Sequence, residues 1–119
     1  KDIENKMLEN AENSSHDLSF FQSNHEGAIV DFIQTMNKND LLGIIINAGA
    51  LSQVAYSILD ALIDLSPIEF IEIHISNVYS REEFRQKSVF AKYAAGQICG
   101  LGSYGYIAAM NYFLINKNE

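Results

Sequence analysis

The sequence predicts an α/β protein with a parallel sheet, and three observations support that prediction. Residues 42–47 form a continuous β-branched apolar run, which is typical of a strand buried on both faces of a sheet. Residues 68–75 form a second run with the length and composition of a strand. Segments with apolar residues at helical spacing separate the runs, and the connections are short. Such alternation favours parallel strands joined by right-handed crossovers.

The first third of the chain is predicted to form a helix, a strand and a second helix. Apolar residues at helical spacing among Asp, Glu and Lys make residues 2–12 an amphipathic helix. Residues 18–22 (LSFFQ) are short and aromatic, which indicates a strand. Ser23 or Asn24 can cap the second helix. The apolar face of that helix comprises Ile29, Val30, Phe32, Ile33 and Met36.

The middle of the chain is predicted to form a strand, a helix and another strand. After the run at 42–47, Ser52 is expected to cap a helix that continues to Leu65. The inward-facing residues of this helix would be Val54, Ile58, Leu62 and Leu65. Pro67 ends it, because proline disfavours helical structure in the residue before it. The strand at 68–75 follows directly.

The last third is predicted to contain a helical turn at 81–84, a short strand at 94–99 and a terminal helix at 106–116. The glycines spaced Gly-x-Gly-x-x-Gly over residues 100–105 resemble a dinucleotide-binding fingerprint. They fall near the end of the chain, with no room for the second half of a nucleotide-binding fold. Turn or packing glycines are the better interpretation, and a flavodoxin-like nucleotide binder is a weak alternative.

The composition argues against several classes of function. The 119 residues suit a single domain over residues 1–119. Eight Lys and Arg against 15 Asp and Glu give a net charge of −7, so nucleic-acid binding is not expected. Cys99 is the only cysteine, which fits a reducing cytoplasm, and no Cys/His spacing suits a metal. The longest apolar runs are too short to cross a membrane.

Polar residues end three of the predicted strands. They are residues 22–24, Asn47 and residues 74–77. Ligands of parallel α/β sheets bind at the carboxyl ends of the strands. The three polar ends are therefore expected to converge on one binding site.

The most reactive candidate at these ends is His74. Glu72 precedes it by two residues, so the two side chains point to the same face of a strand. A carboxylate beside an imidazole can hold its orientation and stabilise its charged form, which makes His74 a candidate general acid. The alternative is a histidine that is hydrogen-bonded at a strand end for structural reasons.

Three further residues at the strand ends can bind a ligand. Asn47 either binds a ligand hydroxyl or ties a loop. The successive backbone N–H groups of Ile75 and Ser76 can bind an anion, although a serine at this place usually only forms a turn.

Two arginines follow the strand that carries His74. Arg81 and Arg85 lie one helical turn apart, and two guanidinium groups over a strand end suit a carboxylate or a phosphate. Glu82 and Glu83 can instead pair with them as solvated surface residues.

Four stretches together resemble the type II 3-dehydroquinate dehydratases, in that family's order and spacing. They are FFQSNHEG (20–27), GIIINAGA (43–50), IEIHISNVYSREEFR (71–85) and GQICGLGSYGY (96–106). The resemblance implies a flavodoxin-like, five-stranded parallel sheet with strand order 2-1-3-4-5, in trimers of which four form a dodecamer. It also implies that 3-dehydroquinate loses water to give 3-dehydroshikimate, without a metal or cofactor.

The resemblance further implies an anti elimination through an enolate, in which a lid tyrosinate is the base. His74 would protonate the departing hydroxyl, with Glu72 as its orienter and Arg81 near the base. The implied substrate-binding residues are Asn47, Gln53, Asp60, Ile75, Ser76 and Arg85. Within that set the N–H groups of Ile75 and Ser76 would hold the carboxylate. Asp60 would reach the site of a neighbouring subunit.

The chain departs from the family pattern in two places. The family's first strand and its lid with the catalytic tyrosine are expected to precede Lys1, so the full protein is expected to be longer. Gln53 stands where the family usually has a histidine, and residues 54, 55 and 59 differ as well. The alternative is an impaired member that binds a small polyol carboxylate or only assembles.

Overall fold

The structure is a computed structural model that describes residues 2–12 and 14–116. A three-stranded parallel sheet forms its centre, with the strands β1 (Ile44–Ile46), β2 (Phe70–His74) and β3 (Gly96–Cys99) in the order β1-β2-β3. Helices cover both faces of this sheet. The predicted α/β class and the parallel arrangement are therefore confirmed.

Four α-helices accompany the sheet in the part of the chain that the structure describes. They are α1 (Asp2–Asn10), α2 (Glu26–Gln34), α3 (Tyr56–Ile63) and α4 (Tyr104–Asn116). Short 3-10 turns lie at Lys38–Asp40, Gly49–Gln53, Val78–Ser80 and Glu83–Gln86. None of the helices in the described ranges is long and apolar enough to cross a membrane.

The side chains of β2 alternate between two cores, which is what a central strand requires. Phe70 packs against a cluster built from α2, α3 and the loop that carries Phe90. Ile71 and Ile73 point to the opposite face, where they meet Phe113 of α4. Helix α1 lies outside α4, and a small cluster around Met7, Ala11 and Met110 joins them. Glu72 and His74 therefore belong to the α3 face of the sheet.

Residues 18–22 do not form the predicted strand. They have no regular secondary structure, although Phe21 stacks on Phe32 of α2 with ring centroids 4.4 Å apart. Leu18 packs against the cluster between α1 and α4. A strand exists only where a neighbouring backbone completes its hydrogen bonds, and no described strand lies beside this segment. The aromatic and apolar side chains of residues 18–22 therefore pack against neighbouring helices, although the backbone pairs with no described strand.

Both predicted helix caps are wrong. The N-cap of α2 is His25, whose side chain makes no capping hydrogen bond, while the Ser23 hydroxyl accepts from the N–H of His25. Ser52 lies in a 3-10 turn, and its hydroxyl donates to the carbonyl of Gly49 at 2.7 Å. Because α3 starts only at Tyr56, Val54 falls outside the helical face and is 62% exposed. Ile58, Leu62 and Leu65 are buried as predicted.

Strand β1 is only partly buried, contrary to the expectation for residues 42–47. In the described part of the chain it has one strand neighbour, β2, so its other edge lacks a partner. On the α4 side the packing is close. A Cβ built on Gly43 would lie 2.3 Å from the ring of Phe113, which is itself buried.

Gly43→Ala is expected to lower the free energy of unfolding by about 1–3 kcal/mol, because a buried ring must move to admit the methyl group. Urea unfolding at fixed protein concentration measures this. The matched control is Gly27→Ala in α2, where an added Cβ meets no atom within 4 Å. That variant should be neutral or gain up to about 1 kcal/mol. Equal stability of the two variants would contradict the close approach.

Candidate functional site

A cleft of about 370 Å³ opens at the carboxyl ends of β1 and β2. Its lining comprises Asn47, Gly49, Ala50, Gln53, His74, Ile75, Ser76, Val78, Arg81 and Arg85. Most of the residues predicted from the sequence therefore converge here, as parallel strand ends require. The polar residues 22–24 are not part of the lining, because the segment before them is not a strand of this sheet.

Glu72 and His74 form a buried pair at the base of the cleft. The His74 Nε2 and Glu72 Oε2 atoms are 2.6 Å apart, and the side chains are 8% and 0% exposed. The same-face prediction is confirmed by this contact. A carboxylate only accepts hydrogen bonds, so Nε2 carries a proton when Glu72 is ionised. Nδ1 is then the ring nitrogen that can exchange a proton with a ligand.

Two more side chains hold the Glu72 carboxylate. The Ser88 hydroxyl donates to Oε2 at 2.7 Å, and the Gln97 amide donates to Oε1 at 3.1 Å. Ser88 also accepts from the N–H groups of Phe90 and Ala91, which ties the loop after the second arginine to the site. Both carboxylate oxygens thus accept hydrogen bonds. A fully buried carboxylate requires such hydrogen bonds, because it has lost its contact with water.

Sequence reasoning missed Ser88 and Gln97. Gln97 is the register partner of Glu72 on β3, and its polar side chain interrupts a strand that otherwise reads as small and apolar. A polar residue in such a strand is a sequence signal that could have identified Gln97 as part of the site. No sequence signal identified Ser88, because it lies in a loop whose approach to β2 depends on the tertiary fold.

The backbone after β2 is held by a glycine turn. The carbonyl of His74 accepts from the N–H of Gly100, and the carbonyl of Ile75 accepts from the N–H of Gly102. Both glycines have positive φ, +87° and +58°, and a Cβ on Gly100 would lie 3.1 Å from Asn77 Cβ. These glycines therefore position the segment that lines the cleft, in agreement with the turn interpretation.

Arg81 and Arg85 both border the cleft, but they do not share the single helical turn predicted: Arg81 directly follows the 3-10 turn Val78–Ser80, and Arg85 lies in the 3-10 turn Glu83–Gln86. Arg85 Nε donates to Glu82 Oε1 at 2.8 Å, and Arg81 Nε lies 3.9 Å from the same oxygen. The backbone N–H of Glu82 and the Arg85 guanidinium hold the pKa of the Glu82 carboxyl below its usual range. Both arginines are partly exposed, so this surface pairing leaves their charge available to a ligand.

Asn47 both ties a loop and lines the cleft. Its side-chain oxygen accepts from the N–H of Gly49 at 3.2 Å, and its amide nitrogen donates to the Tyr106 hydroxyl at 3.0 Å. Gly49 has a φ of +58°, which a glycine adopts without strain. The two interpretations of Asn47 from the sequence are therefore compatible.

Asp60 lies outside the cleft. It is exposed on α3, away from the cleft lining. Of the four positions that depart from the family pattern, only Gln53 lines the cleft. Ala55 and Leu59 are buried in the core behind it, and Val54 faces outward.

The cleft and its surroundings contain one thiol. Cys99 is the register partner of His74 on β3. Burial raises the pKa of the Cys99 thiol, and the negative charge of Glu72 raises it further. Within residues 2–12 and 14–116, no group of three or more His, Cys, Asp or Glu side chains is arranged to hold a metal ion.

Comparison with known proteins gives a consistent result. A family model described as "Dehydroquinase class II" matches residues 1–114. The 3-dehydroquinate dehydratase of Lachnospira eligens is 51% identical over 84% of this chain and 68% of its own length. That of Herpetosiphon aurantiacus is 47% identical over 98% of this chain and 80% of its own. The crystal structure of type II dehydroquinase from Butyrivibrio crossotus matches with a TM-score of 0.87 and 45% identity, covering 93% of this chain and 77% of that one.

Proposed function

The chain belongs to the class II dehydroquinase family, and on that premise we propose that it is a hydro-lyase that converts 3-dehydroquinate to 3-dehydroshikimate. The observation that supports this most directly is the buried Glu72–His74 pair at the base of a cleft bordered by two arginines. A general acid and cationic groups suit the dehydration of an anionic hydroxy ketone.

In the proposed reaction a base removes the proton alpha to the ketone and an enolate forms. The enolate collapses, the C–O bond breaks, and the hydroxyl leaves as water with a proton from His74. Glu72 accepts from Nε2 at 2.6 Å, so the imidazolium delivers its proton from Nδ1. Glu72 thereby orients the acid and balances its charge.

We assign the substrate groups to the remaining lining residues. The N–H groups of Ile75 and Ser76 would bind the carboxylate, because the turn after β2 presents them at the strand end. Asn47 and Arg85 would bind hydroxyl groups, and Arg81 would supply positive charge near the base. The charge of −7 does not oppose this, since surface fields are screened over about 8 Å at physiological salt.

No tyrosine of the described residues is assigned as the base. The Tyr79 hydroxyl donates to Gln97, and the Tyr106 hydroxyl accepts from Asn47, so each is engaged elsewhere. The lid tyrosinate that the family resemblance implies therefore remains the proposed base.

One observation favours a second candidate function. Gln53 lines the cleft where the family pattern has a histidine, and glutamine cannot carry charge. A protein with weakened chemistry at this place would still bind a small polyol carboxylate.

The experiment that separates the two candidates adds 3-dehydroquinate to the full-length protein. Dehydration creates a conjugated enone, so we expect ultraviolet absorbance to rise with time in proportion to enzyme concentration. Calorimetry on the same sample measures binding independently of turnover. Binding without a rise in absorbance would favour the impaired member, and absence of both would contradict the proposed function.

We also infer a trimer, with four trimers in a dodecamer, in a reducing cytoplasm that suits the free thiol of Cys99. Tyr56, Asp60 and Ile63 follow helical spacing on α3, and all three are exposed. Exposed apolar side chains around a carboxylate suit a subunit contact through which Asp60 reaches a neighbouring cleft. Sedimentation equilibrium that shows a monomer at assay concentrations would contradict this assembly.

A further inference from the structure

We propose that Gln97 and Tyr79 are positioning residues for the acid, acting on it through Glu72. This inference rests on the proposed function, because it concerns the same reaction. It adds two residues that the family resemblance did not assign. Its basis is a continuous chain of hydrogen bonds that runs from the protein surface to the imidazole of His74.

The inner part of this chain centres on the buried Glu72 carboxylate. Gln97 Nε2 donates to Glu72 Oε1 at 3.1 Å, and Glu72 Oε2 contacts His74 Nε2 at 2.6 Å. The two carboxylate oxygens thus have different partners, Gln97 for Oε1 and His74 for Oε2. With Oε1 held by Gln97, rotation of the carboxylate away from His74 would break a hydrogen bond to a charged group. Gln97 therefore selects the orientation in which Oε2 faces the imidazole.

The outer part fixes Gln97 itself. A glutamine amide can present either its oxygen or its nitrogen, and only the nitrogen can donate to Glu72. Because the carboxylate takes the amide nitrogen, the amide oxygen points to Tyr79, whose hydroxyl donates to Gln97 Oε1 at 2.8 Å and so anchors that orientation. Tyr79 in turn lies in the 3-10 turn that follows β2, where its N–H donates to Asn77.

Ser88 does not replace this function. Its hydroxyl donates to Oε2, the same oxygen that faces His74, and leaves Oε1 to Gln97. Cys99 on β3 is the register partner of His74, and Arg81 and Arg85 line the same cleft. None of these donates to Glu72 Oε1, so Gln97 is the described side chain that holds it.

The test compares Gln97→Met with Tyr79→Phe and with the control Gln34→Met, an identical substitution at an exposed position of α2. Gln97→Met keeps the length of the side chain and removes both hydrogen bonds. We expect kcat to fall about tenfold with KM changed less than twofold, since the acid and not the binding groups is disturbed. Tyr79→Phe should give a smaller fall, about threefold, and Gln34→Met none.

A second readout does not depend on turnover. In the wild-type protein the His74 Nε2 proton, shared with Glu72, should give a resolved, far-downfield NMR signal, assigned by its loss in His74→Gln. In Gln97→Met this signal should move upfield or broaden, while Gln34→Met keeps it. If the protein did not dehydrate dehydroquinate, the kinetic differences would vanish for every variant but the NMR difference would remain.

An unchanged signal and an unchanged kcat in folded Gln97→Met would overturn the proposal. If Gln97→Met fails to fold, Tyr79→Phe becomes the deciding test. Tyr79 is 54% exposed and the substitution removes only one hydroxyl, so this variant is expected to fold. Wild-type behaviour of Tyr79→Phe in both measurements would then overturn the proposal. A parallel rise in KM and loss of kcat would also overturn it, since that result indicates a general disturbance of the cleft.

Discussion

Replacing His74 with alanine is expected to lower kcat by about 10²–10⁴-fold, the range that a positioned general acid contributes. The expectation follows from geometry, because His74 is the lining residue that is both able to transfer a proton and paired with a buried carboxylate. Steady-state measurement of enone absorbance gives kcat, and calorimetry gives the affinity for 3-dehydroquinate. Affinity should change little, since the carboxylate and hydroxyl contacts are assigned to other residues.

The alanine variant has one complication. It leaves the Glu72 carboxylate buried without its imidazole partner, which lowers stability as well as activity. His74→Gln is the matched control, because its amide can donate to Glu72 Oε2 but cannot act as an acid at neutral pH. Both variants should lose turnover, and His74→Gln should retain more stability towards urea. Full activity of His74→Gln would remove His74 from the reaction.

The acid side of this site could be predicted from the sequence because it depends on one short segment. Strand periodicity placed Glu72 and His74 on one face, and in the structure the two side chains are in contact at 2.6 Å. The glycine turn at residues 100–105 was predictable for the same local reason, since Gly100 and Gly102 need positive φ. Local rules therefore gave the centre of the site and the class of the fold.

Features that depend on packing between distant segments were not predictable in the same way. Residues 18–22 have strand composition, but strand formation depends on a neighbouring backbone that composition does not reveal. A 3-10 turn delays the start of α3 and so changes which residues face inward, as Val54 shows. Ser88 approaches Glu72 from 16 positions further along the chain. Its role required the fold to be known.

Removal of the Glu72 side chain should lower stability strongly. Glu72→Ala takes away a fully buried carboxylate and leaves Ser88, Gln97 and His74 without the acceptor that they share. Unsatisfied buried donors cost about 1–3 kcal/mol each, and truncating one partner of a buried pair costs about 3–5 kcal/mol in all. We expect a loss of about 3–5 kcal/mol in the free energy of unfolding, a large part of the 5–15 kcal/mol typical of a domain. Urea unfolding at a fixed protomer concentration measures it.

Glu72→Gln separates this structural effect from the chemical one. The amide keeps the volume and can still accept from Gln97 through its oxygen, although the Ser88 hydroxyl loses its acceptor, so Glu72→Gln should retain more stability than Glu72→Ala. Its nitrogen then faces His74 and donates to Nε2, which forces the imidazole to carry its proton on Nδ1 and removes the negative charge that stabilises the imidazolium. Turnover should fall about 10²-fold or more although the protein stays folded. If Glu72→Gln retained wild-type kcat, the carboxylate would not be the orienter of the acid. If Glu72→Ala lost less than about 1 kcal/mol, the carboxylate would not be the centre of the buried network.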